Sequence, residues 1–341
     1  MKSVVCFDDV LLVPGFSDIT SRAKIDISST LGKHQFRLPI ISSPMDTVTE
    51  SPMAAAIFDY GGLSIIHRYN TIDTQCKHVE CLPADSLVGA AIGVTGDYID
   101  RATALYDAGA NVLCVDIAHG HHILMKDALH RLREIFGNAI HIMAGNVATL
   151  EGFNDLADWG ADSIRVGIGG GSICSTRIQA GHGVPTLQSV LDCSASDRGA
   201  VLIADGGIRN SGDIVKALAA GADFVMLGSL LAGTDESPGK RIKTAQGDFK
   251  TYRGMASTDA QMAWRGRTSS IEGISSLVPY RGSVLGILDE LALGIRSGLS
   301  YSGAKNLLEF QVRANFIQQS QAAIIEGTTH IRSRAVSFNA K

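Results

Sequence analysis

Several features are scarce in this 341-residue sequence. It has 2 tryptophans, 8 prolines and 6% aromatic residues. Its six cysteines, at positions 6, 76, 81, 114, 174 and 193, never form a Cys-x-x-Cys pair. That spacing rules out a zinc-ribbon pattern and suits a reduced compartment better than a disulfide framework. Basic residues do not outnumber acidic ones, 30 against 34, so the net charge of −4 offers no electropositive footprint for nucleic acid or anionic membrane. No apolar run approaches a membrane span. The opening stretch "MKSVVCFDDVLLVPG" places acids and a proline where a secretion signal needs an unbroken apolar segment. The expectation is a cytoplasmic protein with neither nucleic acid nor membrane as a partner.

What the chain does have is apolar material, 45% of its residues against 19% charged, enough for a large core. The length allows two domains, but α/β barrels of this size fold as one, and one domain over 1–341 is expected. A repeating rhythm points the same way: a short apolar run, a polar or glycine loop, then a helical pattern. The runs are "LPIIS" (38–42), "LSIIH" (63–67), "LVGAAIG" (87–93), "VLCVD" ending at Asp116, "IHIMAG" (140–145), "SIRVGI" (163–168), "VLIAD" (201–205) and "FVMLG" (224–228). Such short, continuous runs bounded by turn residues read as strands buried on both faces. Between them, "HHILMKDALHRLREIF" sets Leu124, Ala128, Leu132 and Ile135 at steps of three and four, the spacing of one helix face. "DAGA", "DWGA" and "AAGA" each supply a glycine where a helix stops. Eight strands alternating with helices predict a (β/α)8 TIM barrel. After the eighth run the rhythm breaks, and 234–282, rich in Gly, Ser, Thr and charge, reads as a mobile lid, centred on about 240–282.

Barrels of this type place reactive groups in the loops that follow the strands. Those positions here hold Ser43 and Asp46, His67 and Arg68, Asp116 and His119, Gly145 and Asn146, and the loop "GIGGGSICSTR" (167–177). After the last two strands come Asp205, Gly206 and Gly207, then Gly228 and Ser229. Glycines 167, 169, 170 and 171 let a ligand approach the backbone closely and would cradle Cys174 as a nucleophile. A lone cysteine is more often a small buried hydrophobe, but this one has polar and glycine neighbours rather than apolar ones. The Asp-Gly-Gly and Gly-Ser pairs after runs seven and eight read as a phosphate nest with Asp205 facing a ribose, against the plainer reading of structural turns. "HGHH" (119–122) invites a metal, yet no carboxylate or cysteine stands at ligand spacing, and loop polarity or a ligand contact by His119 is favoured. Glu272 alone reads as a solvated charge and Trp264 as a lid anchor.

Several stretches together resemble the IMP dehydrogenase and GMP reductase family. They are "VGIGGGSICSTR", "IADGGIRNSGDIVKALAAGADFVMLGSLLAGTDESPG", "YRGM", "EGI" with "VPYRGSV", "SSPMDTVTES" and "AGNVAT", spread over nearly the whole chain. The resemblance implies a barrel oxidoreductase that acts on carbon 2 of a purine 5′-monophosphate, GMP or IMP, with a nicotinamide cofactor. Cys174 would form a covalent thioimidate to that carbon, with Thr176 and Glu272 as the proton relay. Ser172, Asp205, Gly206, Gly207, Gly228 and Ser229 would hold ribose and phosphate, and Gly254, Met255 and Glu272 the base. Asp116, Ile117, Ala118 and Gly169 would face the nicotinamide. The carbonyls of Gly169, Gly171 and Cys174 would take a monovalent cation, K+, and the assembly would be a homotetramer. Three positions depart from the family pattern: Gly170 for a usual proline, Thr186 for a usual glutamine, and Ala256 for a usual glycine or serine.

Two chemistries are open within the family. Typical dehydrogenases insert a paired regulatory module after strand two, where this chain has only "RYNTIDTQCKHVECLPADS". They also hydrolyse the covalent adduct with an Arg-Tyr pair on a long flap, whereas the stretch between Gly254 and Glu272 is short and offers Arg265 and Arg267 without a tyrosine. "TSRAKIDIS" and "LGKHQFRLPII" resemble reductases, in which the pair Ser21 and Arg22 would contact NADPH. "DIAHGH" and "GSLLAGTDESPG" look more like dehydrogenases, which use NAD. The balance favours a GMP reductase, with a dehydrogenase lacking the regulatory module as the alternative. More remote readings are an FMN-dependent barrel oxidoreductase, which shares the phosphate half of the site, and a catalytically silent nucleotide-binding barrel.

Overall fold

The computed structural model describes residues 3–328. Eight parallel strands close into a barrel: β1 (Ile40–Ser42), β2 (Leu63–Ile66), β3 (Gly89–Ile92), β4 (Val112–Asp116), β5 (His141–Val147), β6 (Ser163–Val166), β7 (Val201–Asp205) and β8 (Phe224–Leu227). Closure comes from β8 pairing with β1, Val225 opposite Ile40 and Leu227 opposite Ser42. All eight expected runs are strands, five of them trimmed by a residue or more at one or both ends, while the fifth begins a residue later and runs on to Val147. The strand residues are almost all buried because helices cover the outer face and side chains fill the inner one. Gly109, Gly160 and Gly221, the glycines of the three helix-ending motifs, take φ of 99°, 109° and 108°, a turn open to a residue without Cβ.

One sequence expectation shifts. In the helix Ile123–Phe136 the buried residues are Met125, Ala128, Leu129 and Leu132, while Leu124 and Ile135 are each 40% exposed. At about 100° per residue, Leu124 and Ile135 fall roughly a quarter-turn from the centre of the buried stripe. The 3–4 spacing was satisfied by two overlapping faces, and contact with the barrel selected the other one.

The N-terminal mouth of the barrel is plugged by a hairpin, Ser29–Leu31 paired with His34–Phe36. Its Leu31 and Phe36 join Leu63, Ile65, Val112, Met143, Phe224 and Met226 in the inner core. Phe36 meets Phe224 edge-on, with ring centroids 5.9 Å apart at 82°. Such aromatic pairs add about 0.5–1.5 kcal/mol beyond their area burial. The hairpin leaves the reactive loops to the C-terminal mouth, the end at which barrels of this type carry their chemistry.

The segment after β8 is not a loop. It folds into an antiparallel sheet of β9 (Arg241–Thr244), β10 (Gly247–Arg253) and β11 (Ser275–Pro279), with a helix Thr258–Arg265 between β10 and β11. Lys250, 5% exposed, anchors the sheet by donating from Nζ to the carbonyls of Thr234 at 2.6 Å and Ser237 at 2.5 Å. Arg253 ties its other end to the β1 loop through Asp46, at 2.9 and 2.6 Å. Polar composition concealed this sheet, since its outer strands are largely exposed and one of the two buried positions of β10 is a lysine, which leaves little hydrophobic periodicity to read. Among the described residues no helix is long and apolar enough to cross a membrane.

Candidate active site

A cavity of about 370 Å³ opens at the C-terminal ends of the strands. Its walls come from the loops after β1, β2, β4, β5, β6, β7 and β8 and from the sheet segment above them.

The β6 loop forms the floor. Gly167 takes φ 148°, and a Cβ there would lie 2.0 Å from the Asp205 carbonyl oxygen, so only glycine lets β6 leave the barrel beside β7. Gly170 and Thr186, two of the departures from the family pattern, are neighbours: a Cβ at 170 would lie 2.3 Å from Thr186 Oγ1. The smaller residue at one position leaves space for the hydroxyl at the other.

Cys174 is half-buried, and its Sγ lies 3.1 Å from Thr176 Oγ1. Thr176 in turn donates to Glu272 Oε2 at 2.9 Å. Because the threonine proton points to the carboxylate, its oxygen is left to accept from the thiol. The result is a continuous path from sulfur to carboxylate. Backbone bonds hold it rigid: Ser175 N–H donates to the Glu272 carbonyl at 3.0 Å, and Ile274 N–H to the Ile173 carbonyl at 3.0 Å. Glu272 is therefore not a solvated charge. Burial pushes the thiols of Cys114 and Cys193 up to about 12, which removes both as nucleophiles.

Ser172, Asp205, Gly206, Gly207, Gly228 and Ser229 line the cavity together with Cys174, as do Asp116, Ile117, Ala118, Gly169, Gly171, Gly254 and Met255. Ser21 and Arg22 are not among the lining residues. Both are exposed, and the Arg22 guanidinium sits 5.6 Å from the ring centre of Tyr301, at the end of the helix Val284–Tyr301. His119 is exposed and also outside the lining. Its neighbours have structural partners: His121 pairs with Asp155 at 2.7 Å, and His122 Nδ1 caps its helix by accepting from Leu124 N–H at 3.1 Å. Among the described residues no group of three or more His, Cys, Asp or Glu is arranged to hold a metal.

Several lining residues escape sequence reasoning. Tyr252, 4% exposed, brings its hydroxyl 3.5 Å from Ser172 Oγ, and burial raises its pKa to about 12, so it remains a donor. Arg165 lies between Asp116 and Asp205 in the floor; its only advance signal was a charge inside an otherwise apolar run. Trp264 stacks on Tyr69 of the β2 loop, centroids 5.9 Å apart and planes 17° from parallel, and the adjoining Arg265 reaches the cavity. This stack ties the helix Thr258–Arg265 to the β2 loop.

The fold and site define a (β/α)8-barrel enzyme with a thiol at its catalytic mouth. Residues 4–330 match the family model described as "IMP dehydrogenase / GMP reductase domain". The chain is 35% identical to inosine-5′-monophosphate dehydrogenase of Nitrosopumilus maritimus, over 96% of this chain and 98% of that one. It is 46% identical to GMP reductase of Leishmania major, over 72% of this chain and 52% of that one, about half of the relative's length. Among solved structures, a cysteine-to-alanine variant of GMP reductase from Trypanosoma brucei, in complex with guanosine 5′-monophosphate, superposes with a TM-score of 0.92 at 31% identity, covering 97% of this chain and 98% of that one. The chain belongs to the IMP dehydrogenase / GMP reductase family, oxidoreductases of purine nucleotide interconversion. That membership sets aside the flavin alternative.

Proposed function

We propose that this protein is a GMP reductase, converting GMP to IMP and ammonia with NADPH as the reductant. The observation that carries the reading is the path from Cys174 through Thr176 to Glu272, beneath a lid whose segment 255–271 contains no tyrosine. The thiol proton passes to Thr176 as the threonine proton passes to Glu272, and the sulfur adds to carbon 2 of the purine. The protonated relay then returns that proton to the departing amino group, which leaves as ammonia. The nicotinamide co-substrate supplies the hydride that releases IMP from the sulfur. The covalent adduct divides one difficult exchange into two easier steps.

In this reading Asp205 accepts from the ribose hydroxyls, and the backbone of Gly206, Gly207, Gly228 and Ser229, with Ser172 and Tyr252, surrounds the phosphate. Gly254 and Met255 cover the base, while Asp116, Ile117, Ala118 and Gly169 face the nicotinamide. The carbonyls of Gly169, Gly171 and Cys174 are neutral oxygen donors in a glycine turn, a set that suits K+ rather than a divalent ion. Ser21 and Arg22 do not line the pocket of their own chain, so a contact of theirs with NADPH requires a neighbouring copy, as a homotetramer would provide.

One observation favours the dehydrogenase reading: Arg265 of the lid and Tyr69 of the β2 loop both line the cavity, an arginine and a tyrosine brought together from separate segments. The two readings separate in one assay. A reductase consumes NADPH with GMP and gives at most one turnover with IMP and oxidised cofactor. Sustained formation of XMP from IMP and NAD at a matching rate would replace the reductase with the dehydrogenase.

A further inference from the structure

Arg165 stands in the floor of the cavity on β6 and is 6% exposed. A buried charge persists only where partners match it, and here two do. Its Nε and Nη2 donate to Asp205 Oδ2 at 3.1 and 2.9 Å, and its Nη1 donates to Asp116 Oδ1 at 2.6 Å. Asn146 adds a third donor to Asp205 Oδ2 at 2.8 Å. Among the described residues the hydrogen bonds to this carboxylate thus all fall on Oδ2, which leaves Oδ1 for a ligand. On the far side, Arg68 approaches Asp116 Oδ2 at 3.8 Å and donates to the Asp116 carbonyl at 3.2 Å. Cys114 Sγ lies 3.4 Å from Arg165 Nη1, but burial holds that thiol neutral, so only the carboxylates divide the guanidinium.

We propose that Arg165 is a positioning residue that couples the two halves of the pocket, so that a nucleotide on the Asp205 side raises the affinity for the cofactor on the Asp116 side, and the reverse. The fork of one guanidinium is shared between two acids. Ribose hydroxyls donating to Asp205 offset part of its charge and weaken its hold on the fork. Arg165 then leans toward Asp116 and neutralises it more fully. An uncharged dihydronicotinamide ring laid over Asp116 meets a better-compensated carboxylate and loses less by desolvating it. Linkage makes the effect reciprocal.

The inference rests on the nucleotide and nicotinamide reading of the pocket, not on the direction of the reaction. IMP with NADPH is therefore the probe, since that pair reacts under neither direction. Titration calorimetry of the wild-type protein is expected to give an NADPH Kd lower by about fivefold or more when IMP is saturating, with the same factor for IMP when NADPH is saturating. In Arg165→Lys a single ammonium cannot serve both acids, and the factor is expected to fall to about two or less. IMP alone should still bind, because its phosphate contacts lie on other loops. Asp116→Asn, which leaves the charge of Arg165 wholly to Asp205, should also abolish the coupling and keeps the test open if the lysine variant does not fold. A purely structural arginine would lower the melting temperature and both affinities while leaving their ratio unchanged. A wild-type factor of one, or wild-type coupling in both variants, overturns the proposal. Steady XMP production with the coupling intact overturns the reductase reading alone, and failure to bind IMP at all overturns both.

Discussion

Glu272→Gln separates the proton relay from everything else the site does. The substitution keeps side-chain length, and the amide can still accept from Thr176 Oγ1, which now sits 2.9 Å from the carboxylate. The backbone carbonyl of residue 272 still receives Ser175 N–H, so the cysteine loop keeps its anchor. In the proposed reaction, what disappears is the group that takes the thiol proton and returns it to the departing amine. General acid–base catalysis contributes about 10²–10⁴ in rate, or roughly 3–5 kcal/mol of barrier. Steady-state NADPH oxidation with GMP, followed at 340 nm, should fall by that factor with little change in KM for GMP. Hydride transfer from an IMP adduct to oxidised cofactor moves no proton once the sulfur is ionised. The hydride-transfer step of a single-turnover burst, isolated by its isotope effect, should therefore stay within about threefold of wild type. A GMP-dependent rate within about threefold of wild type would refute the relay. An equal fall in both steps would show that Glu272 shapes the site rather than moving protons.

Cys174→Ala should abolish turnover, leaving less than about one part in a thousand of the rate, while GMP still binds with a Kd within roughly tenfold, since in the proposed reading most ribose and phosphate contacts come from the loops after β7 and β8; measurable turnover would end the covalent mechanism. His141 gives a stability prediction at the opposite mouth of the barrel. Burial pushes its pKa down to about 4, against the pull of Asp162 and with help from Arg133 and His34. Its folded pKa thus lies below the unfolded value of about 6.5, so the unfolded chain protonates first as pH falls. The stability His141 provides is complete above about pH 6.5 and is lost progressively toward pH 4. Urea unfolding of wild type should weaken from pH 7 to pH 5 more steeply than that of His141→Gln, and parallel slopes would contradict the burial effect.

The sequence alone determined the barrel and the centre of its site, because both are encoded locally. Each strand is a short apolar run that only a doubly covered parallel sheet can bury, and its spacing needs no distant residue to be read. The cysteine loop is equally local in sequence: Gly167, Gly169, Gly170 and Gly171 all stand within seven residues of Cys174, although the contacts that require Gly167 and Gly170 to be small come from β7 and Thr186. Tertiary structure decided what depends on convergence. Glu272 looked like a solvated charge until β10 and β11 brought it 2.9 Å from a threonine 96 residues earlier. Arg165 was one charge in an apolar strand until β4 and β7 supplied an acid on either side. The polar stretch after β8 is a sheet held by contacts its pattern does not announce: Lys250 bonds the carbonyls of Thr234 and Ser237, and Arg253 reaches Asp46 in the β1 loop. In the helix Ile123–Phe136 two stripes had acceptable spacing, and packing on the barrel chose Met125 and Leu129 over Leu124 and Ile135. Local pattern specifies which elements form, since periodicity and turn chemistry act within a few residues. The partners of a buried charge, and the face a helix buries, depend on which surfaces meet, and that is set only when the barrel closes.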